Sequence, residues 1–172
     1  FQLNGQDSIL YDGVMSRIYA NQNANNGFIA GFSAQIKAPV TDFLTLTSGI
    51  TYTYGRLQND TAWIPLDHIP PLYGRTGIMV HFKKFQSELY IMYNGWKYLN
   101  DYSPNGEDNL QYATPKGMPA WFTLNLKASY QINRWVGIMM GLENILDMNY
   151  RTFASGISAP GRNFIISIRS SF

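Results

Sequence analysis

The side chains of this 172-residue chain that could do covalent chemistry form no catalytic constellation in the sequence. The chain has no cysteine, which removes disulfides and thiolate metal sites. Its two histidines, His68 and His81, stand thirteen residues apart in different settings, a spacing that does not suit a zinc pair. No P-loop, HExxH helix or nucleophile elbow is present, and a rim catalyst would have only Glu143, Asp147 and scattered serines to draw on. The residues therefore predict no enzyme and no cofactor. Asn59-Asp60-Thr61 fits a glycosylation sequon, a pattern too short to carry weight. What remains is recognition chemistry. Trp63, Tyr98, Tyr102, Tyr112 and Tyr150 sit among Asn, Asp, Gly and Pro, where aromatic faces can stack on a ring-bearing ligand or on neighbouring loops. For any one of them, packing is the commoner role. Lys97, Asp101 and Lys116 read as solvated.

Those residues hang between segments that alternate strictly. Phe28, Ala30, Phe32, Ala34 and Ile36 oppose Ser33, Gln35 and Lys37, and Leu44, Leu46, Ile50, Tyr52 and Tyr54 oppose four threonines. The same period recurs over 73–82, 85–97, 121–131, 135–145 and 162–172, which predicts seven two-faced strands and little helix. Arg75, His81, Glu88, Lys127 and Glu143 all fall on the wet parity, where a charge is most often paired across to the next strand. In the last strand Phe164, Ile166, Ile168 and Phe172 share the apolar parity, with Ile165 the one apolar residue out of phase.

Connections and composition orient the strands. Short turns (38–42, 83–84, 132–134) alternate with long loops (55–72, 98–120, 146–161), as in transmembrane β-barrels. Apolar-parity aromatics form two groups, Phe82, Phe85, Tyr130 and Phe172 by the turns and Phe28, Tyr52, Tyr54, Tyr93, Phe122 and Phe164 by the loops. Charged residues are 14%, aromatics 15%, and the net charge of +2 is scattered, which gives nucleic-acid binding no support. No run has the length of a membrane helix. The expected fold class is all-β, an antiparallel transmembrane barrel segment of about seven to eight strands. Seven is odd, and single-chain bacterial barrels have even counts, so a larger barrel is expected. Residues 1–26 read as an extracellular loop with part of a strand near Val14–Tyr19, and 27–172 as the C-terminal part of the barrel. The chain opens on Phe1 with no signal peptide, so a processed, cut or partial N-terminus is expected.

Three segments carry a resemblance: Asp67-His68-Ile69-Pro70-Pro71 with Tyr73-Gly74-Arg75, Gly141–Asp147 with Tyr150-Arg151, and Ala159-Pro160-Gly161-Arg162 leading into the terminal strand. In this order and spacing they resemble the C-terminal end of TonB-dependent outer-membrane receptors. That resemblance implies a barrel of roughly 22 strands with a plugged lumen. It further implies a ferric siderophore, another iron chelate or cobalamin as cargo, and TonB as partner through a plug domain outside this sequence. Outer-membrane lipid and the barrel-assembly machinery are the other implied partners, the latter reading Phe164, Ile166, Ile168 and Phe172, a signal that Ser170 slightly weakens. The alternatives are a complete eight-stranded barrel with a structural or adhesion role, a barrel enzyme, and a soluble β-sandwich binding module.

Overall fold

A computed structural model of the chain describes residues 4–18, 26–59, 62–104 and 106–171. In chain order the strands are β1 (Ser8–Tyr11), β2 (Val14–Arg17), β3 (Asn26–Pro39), β4 (Leu44–Asn59) and β5 (Ala62–Pro65), then β6 (Tyr73–Phe82), β7 (Phe85–Asn94), β8 (Trp121–Gln131), β9 (Val136–Glu143) and β10 (Asn163–Ser170). The main sheet runs β10-β9-β8-β7-β6-β4-β3, antiparallel throughout, with β5 paired to the top of β4. It is an open meander among the described residues, with β3 and β10 at its two edges.

All seven expected strands are present, with three differences. β4 runs five residues past Tyr54 and turns back as β5, so most of 55–65 is ladder where a loop was expected. β7 ends at Asn94, short of Lys97, although Lys97 still pairs with Met118. Val14–Arg17 is a strand, but it pairs with Ser8–Tyr11 in a separate hairpin. The turn there is Asp12-Gly13, with φ of 46° and 76°, the left-handed pair that closes a two-residue hairpin.

Burial is inverted relative to a soluble sheet. The apolar parity faces outward: Phe28, Phe32, Tyr52, Ile78, Leu89, Phe122, Met140 and Ile166 are all exposed. Thr45, Tyr90, Asn94, Thr123 and Asn125, on the opposite parity, are buried. One apolar row crosses the sheet through Ala38, Leu46, Ile78, Leu89, Leu126, Leu142 and Phe164. It starts beside a short turn and finishes beside a long loop, the stagger that tilted barrel strands require.

Between the two aromatic groups the outward face carries no charge, and its few hydroxyls are satisfied. Ser48 Oγ and Thr76 Oγ1 lie 2.8 Å apart, and Ser87 Oγ donates to the Lys127 carbonyl at 3.0 Å. Hydrocarbon tolerates hydroxyls only on those terms.

Two glycines fit aromatic neighbours. A Cβ on Gly77 would lie 2.8 Å from the Tyr90 Cβ, and one on Gly74 would collide with the Tyr93 ring, whose hydroxyl donates to the Gly49 carbonyl at 3.4 Å. Aromatic cover over a strand glycine restores the contact its missing side chain forfeits.

Candidate functional site at the long-loop rim and the polar face

The long loops interlock above the sheet. Asn144, at the top of β9 with φ 48°, is the pivot. Its backbone N–H donates to Asn125 Oδ1 at 2.9 Å, its Oδ1 accepts from the Met148 N–H at 2.9 Å, and its Nδ2 donates to the carbonyls of Met148 (2.9 Å) and Pro160 (3.2 Å). Asp147 Oδ1 accepts the Arg162 N–H at 2.8 Å, while Arg162 Nε donates to the Ile145 carbonyl at 3.0 Å. The Gly141–Asp147 and Ala159–Arg162 motifs are thus two halves of one clasp. A Cβ on Gly161 would lie 2.7 Å from Asp147 Oδ1, so the clasp needs a glycine there. Ile165 is out of phase because it packs over Gly141, whose built Cβ would sit 3.6 Å away.

A second cluster joins the 66–72 segment to the 95–120 loop. Lys97 was expected to be solvated, yet it is 4% exposed. Its Nζ donates to the Ile69 carbonyl at 2.5 Å and lies 4.9 Å from the Phe153 ring centroid. Burial pushes its pKa down, and the nearby carboxylates of Asp108, Asp101 and Asp67 restore only part of that loss. Asp108 is buried, and its Oδ1 accepts the backbone N–H of His68 at 2.8 Å. His68 holds φ 62°, and its ring meets Glu107 Oε2 at 2.9 Å. Asp101, also expected to be solvated, pairs with Arg56 at 3.1 Å. Lys116 is exposed with no ion pair among the described residues. Neither Lys97 nor Asp108 carries a sequence signal of burial beyond its place among aromatics.

The five loop aromatics divide by surroundings. Tyr150 packs on Trp121 with centroids 4.2 Å apart, and burial raises its hydroxyl pKa, helped by Glu143. Tyr102 is buried 6.1 Å from Phe153, and burial, then Asp108, raises its pKa. Trp63, on β5, meets Phe28 edge-on at 5.5 Å. Tyr98, stacked on Trp96 at 5.9 Å, and Tyr112, beneath the Arg151 guanidinium at 5.0 Å, keep broad exposed faces.

On the polar face, Arg75 and Glu88 form a 2.8 Å ion pair across β6 and β7, and Lys127 stands opposite Glu88 on β8. Tyr90, 4% exposed, lies beneath both cations, with Arg75 Cζ at 3.9 Å and Lys127 Nζ at 5.5 Å from its centroid. Tyrosine reads as a belt residue in a sequence, and only the register places Tyr90 on this face. His81 is exposed without an ion pair among the described residues, and Glu143 is half-buried opposite Asn163. Phe164, Ile166 and Ile168 project from the exposed side of β10, whereas Phe172 lies outside the described residues. Among the described residues no three His, Cys, Asp or Glu side chains converge as metal ligands.

No family model matches the chain, and no curated protein matches it by sequence. Solved structures do. The copper transporter OprC superposes with a TM-score of 0.71 at 18% identity, over 85% of this chain and 24% of that one. The ferric-catecholate import receptor Fiu from E. coli K12 gives 0.61 at 14%, over 94% and 22%. The ferric enterobactin receptor PfeA from Pseudomonas aeruginosa gives 0.59 at 16%, over 84% and 22%. The chain therefore spans about a quarter of the length of the structures it matches, and at these identities the likeness is one of fold. That fold is an all-antiparallel sheet of the kind found in transport receptors.

Proposed function

We propose that this chain forms the C-terminal wall and outer loops of a TonB-dependent outer-membrane receptor, part of a barrel of roughly 22 strands. The observation that carries the reading is the outward face: a charge-free apolar band between two aromatic belts, its hydroxyls internally bonded. The open sheet, with edges at β3 and β10, fits a larger wall. In this reading residues 1–26 are extracellular, and Arg75, His81, Glu88, Lys127 and Glu143 face the lumen. The outer-membrane lipid contacts the band, the assembly machinery reads the last strand, and TonB acts through a plug.

The cargo is a scarce nutrient such as a ferric siderophore, another iron chelate or cobalamin. The solved structures of similar fold include two iron-chelate receptors and a copper transporter, which adds copper to the candidates. Trp63, Tyr98 and Tyr112, the exposed members of the five, are the proposed contacts. The test is uptake of labelled ferric chelates, cobalamin and copper by cells with and without the full gene. Loss of one cargo, abolished equally by collapsing the proton gradient, is the expected result. Unchanged uptake of every cargo, with the protein recovered in the soluble fraction, would overturn the proposal.

A further inference from the structure

The short turns at 83–84 and 132–134 are tied into one rim. The Gln131 N–H donates to the Lys84 carbonyl at 2.9 Å, and Lys84 Nζ donates back to the Ile132 carbonyl at 3.1 Å. Because β7 pairs with β8, the β6–β7 and β8–β9 hairpins are centred two strand spacings apart, roughly 10 Å. Three exposed cations occupy that rim, Lys83, Lys84 and Arg134, and none forms an ion pair among the described residues. Asp42, on the neighbouring 38–42 turn, is the one acidic side chain at this end of the strands, and it pairs with none of them. Lys83 Nζ lies 5.4 Å from the Phe82 ring centroid, and Lys84 spends one of its three ammonium protons on Ile132. Directly below, on the outward parity, Phe82, Phe85, Tyr130 and Ile132 are exposed.

The order of these groups selects the occupant. A soluble anion would use the cations and gain nothing from the rings. Cations set above an outward apolar patch suit a molecule with an anionic head and hydrocarbon tails. A zwitterionic head would bring its own cation to a rim that already holds three, where only Asp42 could receive it. We propose that the twin turns hold the headgroup of a net-anionic glycerophospholipid of the phosphatidylglycerol type. Its phosphodiester sits among Lys83, Lys84 and Arg134, and its chains lie along Phe82, Phe85 and Tyr130. The inference rests on the membrane reading above and adds a headgroup preference at one rim, on the outside of the wall and away from the long loops.

The experiment inserts the full-length protein into bilayers of mixed phosphatidylglycerol and phosphatidylcholine, then reads the lipids it retains by native mass spectrometry. One cation beside an anionic headgroup gives about fivefold preference, so retained phosphatidylglycerol should be enriched at least about fivefold over phosphatidylcholine. Enrichment should fall below about twofold in Lys83→Gln/Lys84→Gln/Arg134→Gln. The charge-keeping Lys83→Arg/Lys84→Arg/Arg134→Lys and the remote Lys116→Gln should retain it. Raising salt to about 1 M before extraction should lower enrichment in the unmodified protein, an arm that does not depend on any variant folding. Insertion with no headgroup preference, or a preference indifferent to both salt and the triple glutamine variant, would overturn the proposal and leave the membrane reading standing. So would a phosphorylated glycolipid, added as a third component, displacing phosphatidylglycerol from these cations. Failure to insert into any bilayer would overturn both.

Discussion

An arginine scan along the outward face of β7 measures what medium surrounds that face. Phe85 and Tyr93 belong to the two aromatic groups, and Leu89 is midway, four residues from each. Eight residues of strand rise about 26 Å, or about 20 Å along the membrane normal at a tilt near 40°. Leu89 would then lie about 10 Å inside either belt, near the bilayer midplane. Leu89→Arg should cost about 2–4 kcal/mol, roughly 30- to 1000-fold in the folding equilibrium, and Phe85→Arg about 0–1 kcal/mol. Gln35→Arg, on the exposed polar face of β3, should change stability by about 0.5 kcal/mol or less. Urea titration of the full-length protein in phospholipid vesicles, followed by tryptophan fluorescence, reads all three. A profile that is flat with depth, or one in which Gln35→Arg equals Leu89→Arg, would refute the membrane reasoning.

Three further outcomes follow from the polar contacts. Asn144→Ala removes three side-chain hydrogen bonds and puts at φ 48° a residue that tolerates the left-handed region less well than asparagine, so protection of 145–161 in hydrogen exchange should drop by about 3 kcal/mol, and Asn144→Gly, which adopts that backbone freely, should lose less. Arg75→Met should destabilise by about 1–3 kcal/mol, while Arg75→Met/Glu88→Gln should recover part of that loss, a coupling that a double-mutant cycle in urea measures. Lys97 has a folded pKa below its ordinary 10.5, so the unfolded loop binds more protons there and loop stability should rise with pH over the range just below 10.5. Tyr102 and Tyr150 act oppositely: their pKa values are raised above 10.0, and their contribution is lost as pH climbs through the folded values. Resistance of the loops to proteolysis between pH 8 and 12 should therefore show a rise then a fall, and Lys97→Met should leave only the fall.

The wall was legible because a period of two survives any tilt or curvature. Leu124, Leu126 and Ala128 cannot share a face except in a strand, and the turns at 83–84 and 132–134 fix which ends meet. The top of β4 was less legible because Gly55-Arg56-Leu57-Gln58 shows no clean alternation, and its ladder depends on pairing with Trp63 and Ile64. The β1–β2 turn was there to be read in Asp12-Gly13, but its four-residue strands are too short to signal a period. Loop chemistry was the least legible part. Tyr102, Tyr150 and Tyr98 look alike in sequence, and only the positions of Phe153, Trp121 and Trp96 separate a packed ring from an open one.

The Asn144 clasp also bears on the order of assembly. It ties the top of β8 through Asn125, the end of β9 and the start of β10 within a span of some forty residues. Contacts that close over so short a span cost little chain entropy, so they form early in a search otherwise dominated by distant strand pairings. A β8–β9–β10 unit that sets before the rest of the wall would present β8, already in register, as the edge on which β7 and the strands before it add. In kinetic terms the clasp is then a nucleus: loosening Asn144 should slow folding as well as speed unfolding, whereas a change at a late-forming loop contact such as Arg56–Asp101 should alter the unfolding rate alone.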